Sequence, residues 1–152
     1  ERLQRLIDER KEFVVKNSPG PIVGIHVRRS DKIGTEAQYH SLSEYMEEVE
    51  KFFQIHEAFS NRSSISQRSV YVMSDDPGVL DDAKPFFFFF FFMTQYKFVF
   101  EKKSAESGKS QGTRYTPSAL DALVVDLFMM SDCDYLVCTF SSQICRLAYE
   151  LM

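Results

Sequence analysis

Apolar positions along the chain follow two spacings in alternation. Leu3, Leu6, Ile7, Phe13 and Val14 recur at helical intervals and predict a helix over 1–16. Asn17-Ser-Pro-Gly20 ends it in a turn. Residues 21–27 form a nearly unbroken apolar run, the pattern of a strand buried on both faces. Ser43 is a candidate cap for a helix over 44–59, which would turn Tyr45, Met46, Val49, Phe52 and Phe53 inward. A polar loop over 61–67 precedes a second strand over 69–73, and Pro77 opens a short helix over 78–84. Residues 96–100 read as a third strand and the polar stretch 102–112 as a loop. A helix over 118–130, a fourth strand over 135–138 and a last helix from Ser142 complete the series. Strands alternating with helices predict an α/β fold with a parallel sheet and right-handed crossovers.

Residues 86–92 break every pattern, being seven phenylalanines in a row. No amphipathic element asks for aromatic side chains on both faces. Two readings stand: a fully buried element, or a gene-model artefact in which a pyrimidine-rich intron end is translated. Neither assigns the run a function, and exposed it would promote aggregation.

Composition narrows the class. The chain has 152 residues, 44% apolar and 26% charged, enough for one domain with a real core. A formal net charge of −4 argues against a general nucleic-acid-binding surface and leaves room for a local basic pocket. No apolar stretch reaches the roughly 18–20 residues of a membrane span, and no signal-peptide pattern opens the chain. The chain starts at Glu1 and ends at Met152 inside a predicted helix, so both ends read as cuts and a fragment of a larger protein is expected. Cys133, Cys138 and Cys145 are too few and too awkwardly spaced for a zinc site. Spacing leaves two options for them: three buried thiols, or a bridge between Cys138 and Cys145 across a tight strand-to-helix turn in an oxidising compartment.

Polar chemistry gathers at the ends of the strands. His26, Arg28, Arg29, Ser30, Asp31, Lys32 and Glu36 follow the first. Ser74, Asp75 and Asp76 follow the second, and Thr139, Ser141, Ser142 and Gln143 the fourth. Parallel α/β sheets bind ligands beyond the carboxyl ends of their strands, so all three clusters fall on the edge where a crevice belongs. Strand alternation puts His26 and Arg28 on one face and Arg29 on the other. One arginine can then meet an anion while the other organises the site from beneath. A guanidinium fork suits a diphosphate, and Ser142 and Gln143 lie at a helix N-terminus, where free N–H groups favour phosphate. Ion pairing of the arginines with Asp31 or Asp75 and simple N-capping by Ser142 are the purely structural alternatives. There is no Gly-x-Gly-x-x-Gly and no P-loop, so dinucleotide and P-loop readings lose support. Asp132-Cys-Asp134 has the Asp-x-Asp form of metal-dependent sugar transferases but precedes its strand, and reads as a helix–strand turn. Asn61-Arg62-Ser63 is a formal glycosylation acceptor.

The stretch Gly24-Ile-His-Val-Arg-Arg-Ser-Asp-Lys-Ile-Gly-Thr-Glu36 resembles the nucleotide-sugar motif of the α1,6-fucosyltransferases that core-fucosylate N-glycans, and of related rhizobial nodulation enzymes. Ser43-Glu-Tyr-Met46, Ser74-Asp-Asp-Pro77, Arg114-Tyr-Thr116 and the region from Val125 and Asp126 through Asp134 to Arg146 resemble the same enzymes in the same order. The likeness covers most of the chain outside residues 86–112.

The resemblance implies a Rossmann-like, GT-B-like donor-binding half of a type II enzyme on the lumenal side of the Golgi membrane. The membrane anchor, stem, N-terminal subdomain and C-terminal SH3-like domain of such enzymes would lie outside residues 1–152. The implied reaction moves fucose from GDP-fucose, with inversion, to O6 of the innermost GlcNAc of an N-glycan or glycoprotein acceptor, without a divalent metal or other cofactor. By position, Arg28 resembles the arginine on the donor diphosphate and Arg29 its supporting neighbour. His26 and Asp126 resemble guanosine-side contacts, and Ser142 and Gln143 phosphate contacts. Glu36 resembles the general base, assisted by Lys32, while Asp31, Tyr45, Asp75 and Asp76 resemble supporting residues. The resemblance also implies a Cys138–Cys145 disulfide and admits a homodimer of the full-length enzyme. The alternative from another class is a non-catalytic module that binds GDP or a sugar nucleotide, or an inactive fragment. A phospho-acceptor domain built on Asp75 and Asp76 would leave Arg28 and Arg29 unexplained.

Overall fold

A computed structural model describes residues 1–29, 38–60, 67–88, 95–101, 105, 106, 112 and 115–152, with backbone alone at 87, 88 and 95. In chain order the elements are α1 (Arg2–Asn17), β1 (Ile22–Val27), α2 (Leu42–Ser60), β2 (Gln67–Ser74) and α3 (Val79–Ala83). A 3-10 turn (Lys84–Phe88), β3 (Gln95–Phe100), α4 (Pro117–Ser131), β4 (Tyr135–Cys138) and α5 (Gln143–Leu151) follow. Each periodic segment forms the predicted type of element.

The main boundary shift is at α2. The helix starts at Leu42, and Ser41 rather than Ser43 stands before it. The Ser41 N–H donates to Glu44 Oε1 at 2.7 Å, half of a capping box. At α4, Thr116 Oγ1 accepts from Ala119 N at 3.2 Å, and Pro117 occupies the first helical position, where no N–H is needed. In the phenylalanine run, Phe86 packs partly against the core, and residues 89–92 lie outside the described residues. So does the acceptor motif at Asn61.

All strand pairs are parallel, in the order β3-β2-β1-β4. The chain thus builds outward from β1 to β2 and β3, then returns to the other side of β1. Both faces of the sheet are covered, which is why β1 and β2 read as unbroken apolar runs. Val23, Ile25, Val27, Val70 and Val72 pack with Tyr45, Met46, Val49 and Phe53 of α2 and Val79 of α3. Tyr71, Met73 and Val99 pack on the opposite face with Ile7 and Val14 of α1, Met129 and Met130 of α4 and Ala148 of α5. Gly24 permits the close approach of α4: a Cβ there would meet Met130 Sδ at 3.0 Å and Cys133 Sγ at 3.1 Å. Cys133 is buried and free, and its burial pushes the thiol up to about 12, which keeps it unreactive.

The amino edge of the sheet is held by ion pairs. Arg68, buried at the start of β2, meets both carboxylate oxygens of Glu57 at 3.1 Å and also pairs with Glu50. Its guanidinium lies 5.3 Å from the Phe53 ring and 3.1 Å from the Tyr96 hydroxyl, so one cation ties α2, β2 and β3 together. Asp134 Oδ2 accepts from Ile22 N at 2.7 Å, and Asp132 pairs with Lys11 at 2.5 Å. The Asp132-Cys-Asp134 turn therefore closes the edge opposite the strand ends where ligands sit.

His26 is the polar exception on β1. It is buried, and its Nδ1 has no hydrogen-bond partner among the described residues. Burial lowers its pKa to about 4, with Asp75 opposing and Arg28 reinforcing the shift, so the ring is neutral at pH 7.

Two outcomes are expected. Arg68→Ala strands the Glu57 and Glu50 carboxylates and should cost about 3 kcal/mol, read as a lower urea midpoint; an unchanged midpoint would show that the network contributes nothing. For His26, the folded pKa lies below the unfolded one, so between pH 6.5 and 4 the unfolded chain takes up a proton that the folded chain refuses. Stability should fall across that window by roughly 3 kcal/mol more in the wild type than in His26→Gln. Equal slopes in urea titrations at several pH values would mean the buried ring protonates in place.

Candidate active site at the carboxyl edge of the sheet

The returning connection makes β1 the turning point of the sheet. Its carboxyl end stands between strands reached in opposite directions, the position at which open α/β sheets leave a crevice. His26 is level with Met73 of β2 on one side and Cys138 of β4 on the other. The residues just beyond, Arg28 and Arg29, therefore emerge between the ends of β2 and β4.

Asp75 organises this edge. Its Oδ2 lies 3.2 Å from Arg28 Nε, and its Oδ1 accepts from the Arg29 backbone N at 2.8 Å. One buried carboxylate thus fixes a side chain and the next residue's backbone. Ser74 reinforces the junction by donating from Oγ to the Val27 carbonyl at 2.7 Å and accepting from Asp76 N at 3.0 Å. Asp76 Oδ1 in turn accepts from Gly78 N at 3.0 Å, shaping the entry to α3.

The arginines diverge as strand alternation requires. Arg29 turns to the α3 side, where Nη1 contacts Asp82 Oδ2 at 2.5 Å and approaches Asp76 Oδ2 at 3.8 Å. The Tyr39 ring lies 5.3 Å from its guanidinium carbon. Arg29 is almost wholly buried, and its Nε and Nη2 have no hydrogen-bond partner among the described residues. Tyr45, buried on α2, lies close enough to Arg29 and Asp75 to feel both charges; its pKa is raised chiefly by burial, with Arg29 opposing.

Across β1, the turn after β4 supplies a helix N-terminus. Ser142 N donates to Thr139 O at 3.0 Å, and Ser142 Oγ caps α5 by accepting from Cys145 N at 3.4 Å. Gln143 is exposed in the first turn. The Cys138–Cys145 disulfide is present, with a Cα–Cα distance of 6.1 Å, and ties the residue beside His26 to the first turn of α5.

Asp126 lies deeper. It is buried on α4 and accepts from the Tyr71 hydroxyl at 2.6 Å, in the layer below the edge cluster. Asp31, Lys32 and Glu36 lie outside the described residues. A separate cavity of about 660 Å³ opens between α1 and α4 and includes none of the edge cluster. Two ion pairs lie in its lining, Arg2 with Asp121 at 2.8 Å and Arg10 with Glu101.

Geometry thus unites Arg28, Arg29, Asp75, Asp76 and Tyr45 by contact or charge, with His26 just behind them on β1 and the α5 N-terminus beyond the end of the neighbouring β4. Asp82 and Tyr39 were not foreseen. The only signal for Asp82 was an acidic pair in the first turn of α3, ordinarily explained by the helix dipole. Fixed cations, a helix N-terminus and a buried neutral imidazole at one strand edge suit a nucleoside diphosphate in chemistry.

Comparison with known proteins agrees in scope. A family model described as alpha-(1,6)-fucosyltransferase N- and catalytic domains matches residues 1–152. A Drosophila melanogaster protein named alpha-(1,6)-fucosyltransferase is 43% identical over 132 residues, covering 87% of this chain and 20% of the fly protein. A Caenorhabditis elegans protein of the same name is 37% identical over 153 residues, covering 99% of this chain and 26% of the worm protein. The chain therefore spans about a fifth to a quarter of the length of these curated relatives. With the family model matched end to end, the chain belongs to the α-(1,6)-fucosyltransferase family, within its N- and catalytic-domain region.

Proposed function

We propose that the protein binds GDP-fucose and, in its full-length form, transfers fucose with inversion to O6 of the innermost GlcNAc of an N-glycan. The observation that carries this reading is the Asp75-held arginine pair beside the α5 N-terminus at the turning point of the sheet. Family membership supplies the reaction class.

In this reading Arg28 and the α5 N-terminus with Ser142 and Gln143 take the diphosphate, and Arg29 supports them. His26 and Asp126 serve the guanosine side. Asp31, Tyr45, Asp75 and Asp76 hold the arrangement. Glu36, assisted by Lys32, removes the proton from the acceptor hydroxyl as O6 attacks the fucose anomeric carbon opposite the departing GDP. The C1–O bond breaks through an oxocarbenium-like transition state, and its electron pair passes to the diphosphate. Fixed positive groups aimed at that developing charge stabilise it without reorganising. Arg28, Arg29 and the helix end are the groups that fit this task, and the reading calls on no divalent metal.

The same reading places the enzyme in the Golgi lumen, acting on glycoproteins, with a homodimer as the full-length form. The Cys138–Cys145 bridge suits an oxidising compartment. No described helix is long and apolar enough to cross a membrane.

Arg28→Lys keeps the charge and removes the fork. It should weaken GDP binding by about tenfold or more in calorimetry; unchanged affinity would remove Arg28 from the diphosphate. In the full-length enzyme, Glu36→Gln should retain GDP binding and lower transfer to a glycopeptide by about 10²–10⁴-fold. Wild-type turnover in that variant would refute the assignment of the base. GDP binding without transfer by the intact wild type would favour a binding module instead.

A further inference from the structure

Arg29 is a buried cation whose surroundings define which of its donors is committed. Its backbone N is held by Asp75, whose other oxygen is on Arg28. Among the described residues its side chain touches one carboxylate at hydrogen-bond distance, Asp82 Oδ2 at 2.5 Å, while Asp76 Oδ2 stands at 3.8 Å, beyond it. The Tyr39 ring lies near the guanidinium and offers no fixed counter-charge. The contact with Asp82 uses Nη1. The two donors left without partners, Nε and Nη2, form one side of the planar fork, the side that matches two oxygens of an anion.

A guanidinium this buried needs a counter-charge, because desolvation without one costs several kcal/mol. Asp82 is suited to supply it. It lies in the first turn of α3, where the helix dipole favours a carboxylate, and it is half exposed, so its own desolvation is small. Asp75 is already shared between Arg28 and the Arg29 backbone, and Asp76 Oδ1 is taken by Gly78 N. We infer that Asp82 is a positioning residue: by clamping Arg29 at Nη1 it fixes a buried guanidinium whose Nε–Nη2 side, uncommitted among the described residues, is the pair of donors an anion drawn into the strand edge would meet. This rests on the reading of the edge as a diphosphate site only for the identity of the anion.

Asp82→Asn removes the charge at nearly constant shape, and Asp82→Glu keeps it. GDP affinity by calorimetry should fall about tenfold in Asp82→Asn. The Glu variant should recover most of that loss; the urea midpoint should fall in Asp82→Asn, which strips the buried guanidinium of its counter-charge, and return toward wild type in Asp82→Glu. Independently of any ligand, the Arg29 Nε–H resonance in ¹⁵N-labelled intact protein should shift and broaden in Asp82→Asn and return in Asp82→Glu. An unchanged Arg29 Nε–H signal in Asp82→Asn overturns the inference, whatever the protein binds. So does a Glu variant as weak as the Asn variant. Failure of the wild type to bind GDP would count against the diphosphate site, and the Arg29 resonance would still decide the role of Asp82.

Discussion

The buried carboxylate of Asp75 is the constraint on which the candidate site depends. It sits just past β2, accepts from the Arg29 backbone and meets the Arg28 guanidinium, so the end of one strand dictates the course of its neighbour. With the Ser74-to-Val27 bond alongside, the β1–β2 junction is fixed beyond the last ladder pair. Fixed geometry of this kind matters where charge must be met without reorganisation.

Around that junction the two faces of the sheet divide the work. Arg29 drops toward α3 and is anchored there by Asp82, which leaves the opposite direction to Arg28. On the far side of β1, a second restraint acts through covalent chemistry. The Cys138–Cys145 bridge pins the first turn of α5 to the strand paired with His26, so the helix N-terminus cannot drift from the strand end. A carboxylate and a disulfide thus fix the groups on either side of the β1 end.

A second network of ion pairs lies at the other edge. Arg68 joins α2, β2 and β3 through Glu57, Glu50 and aromatic rings, and Asp134 closes the start of β1. Buried polar atoms without a partner among the described residues occur toward both edges: the Ser18 and Ser69 hydroxyls near the amino edge, and the His26 Nδ1 with Arg29 Nε and Nη2 near the carboxyl edge.

Much of this was legible in the residues alone. The nearly unbroken apolar run at β1 announced a strand covered on both faces, and helical spacing marked α1 and α2. Both rest on local periodicity, which each residue reports without reference to distant ones. Alternation along β1 separated Arg28 from Arg29 before any contact was visible. The placement of β4 beside β1 was not legible, because strand order depends on burial between segments more than a hundred residues apart. Nor was the pairing of Arg29 with Asp82, since an acidic residue in a first helical turn looks the same whether it serves the dipole or a buried cation. The sequence by itself determined the elements, their faces and the edge that carries the chemistry. Only the tertiary structure decided which charges meet across that edge, because electrostatic partners are chosen by distance in space and the chain encodes that distance only through its complete packing.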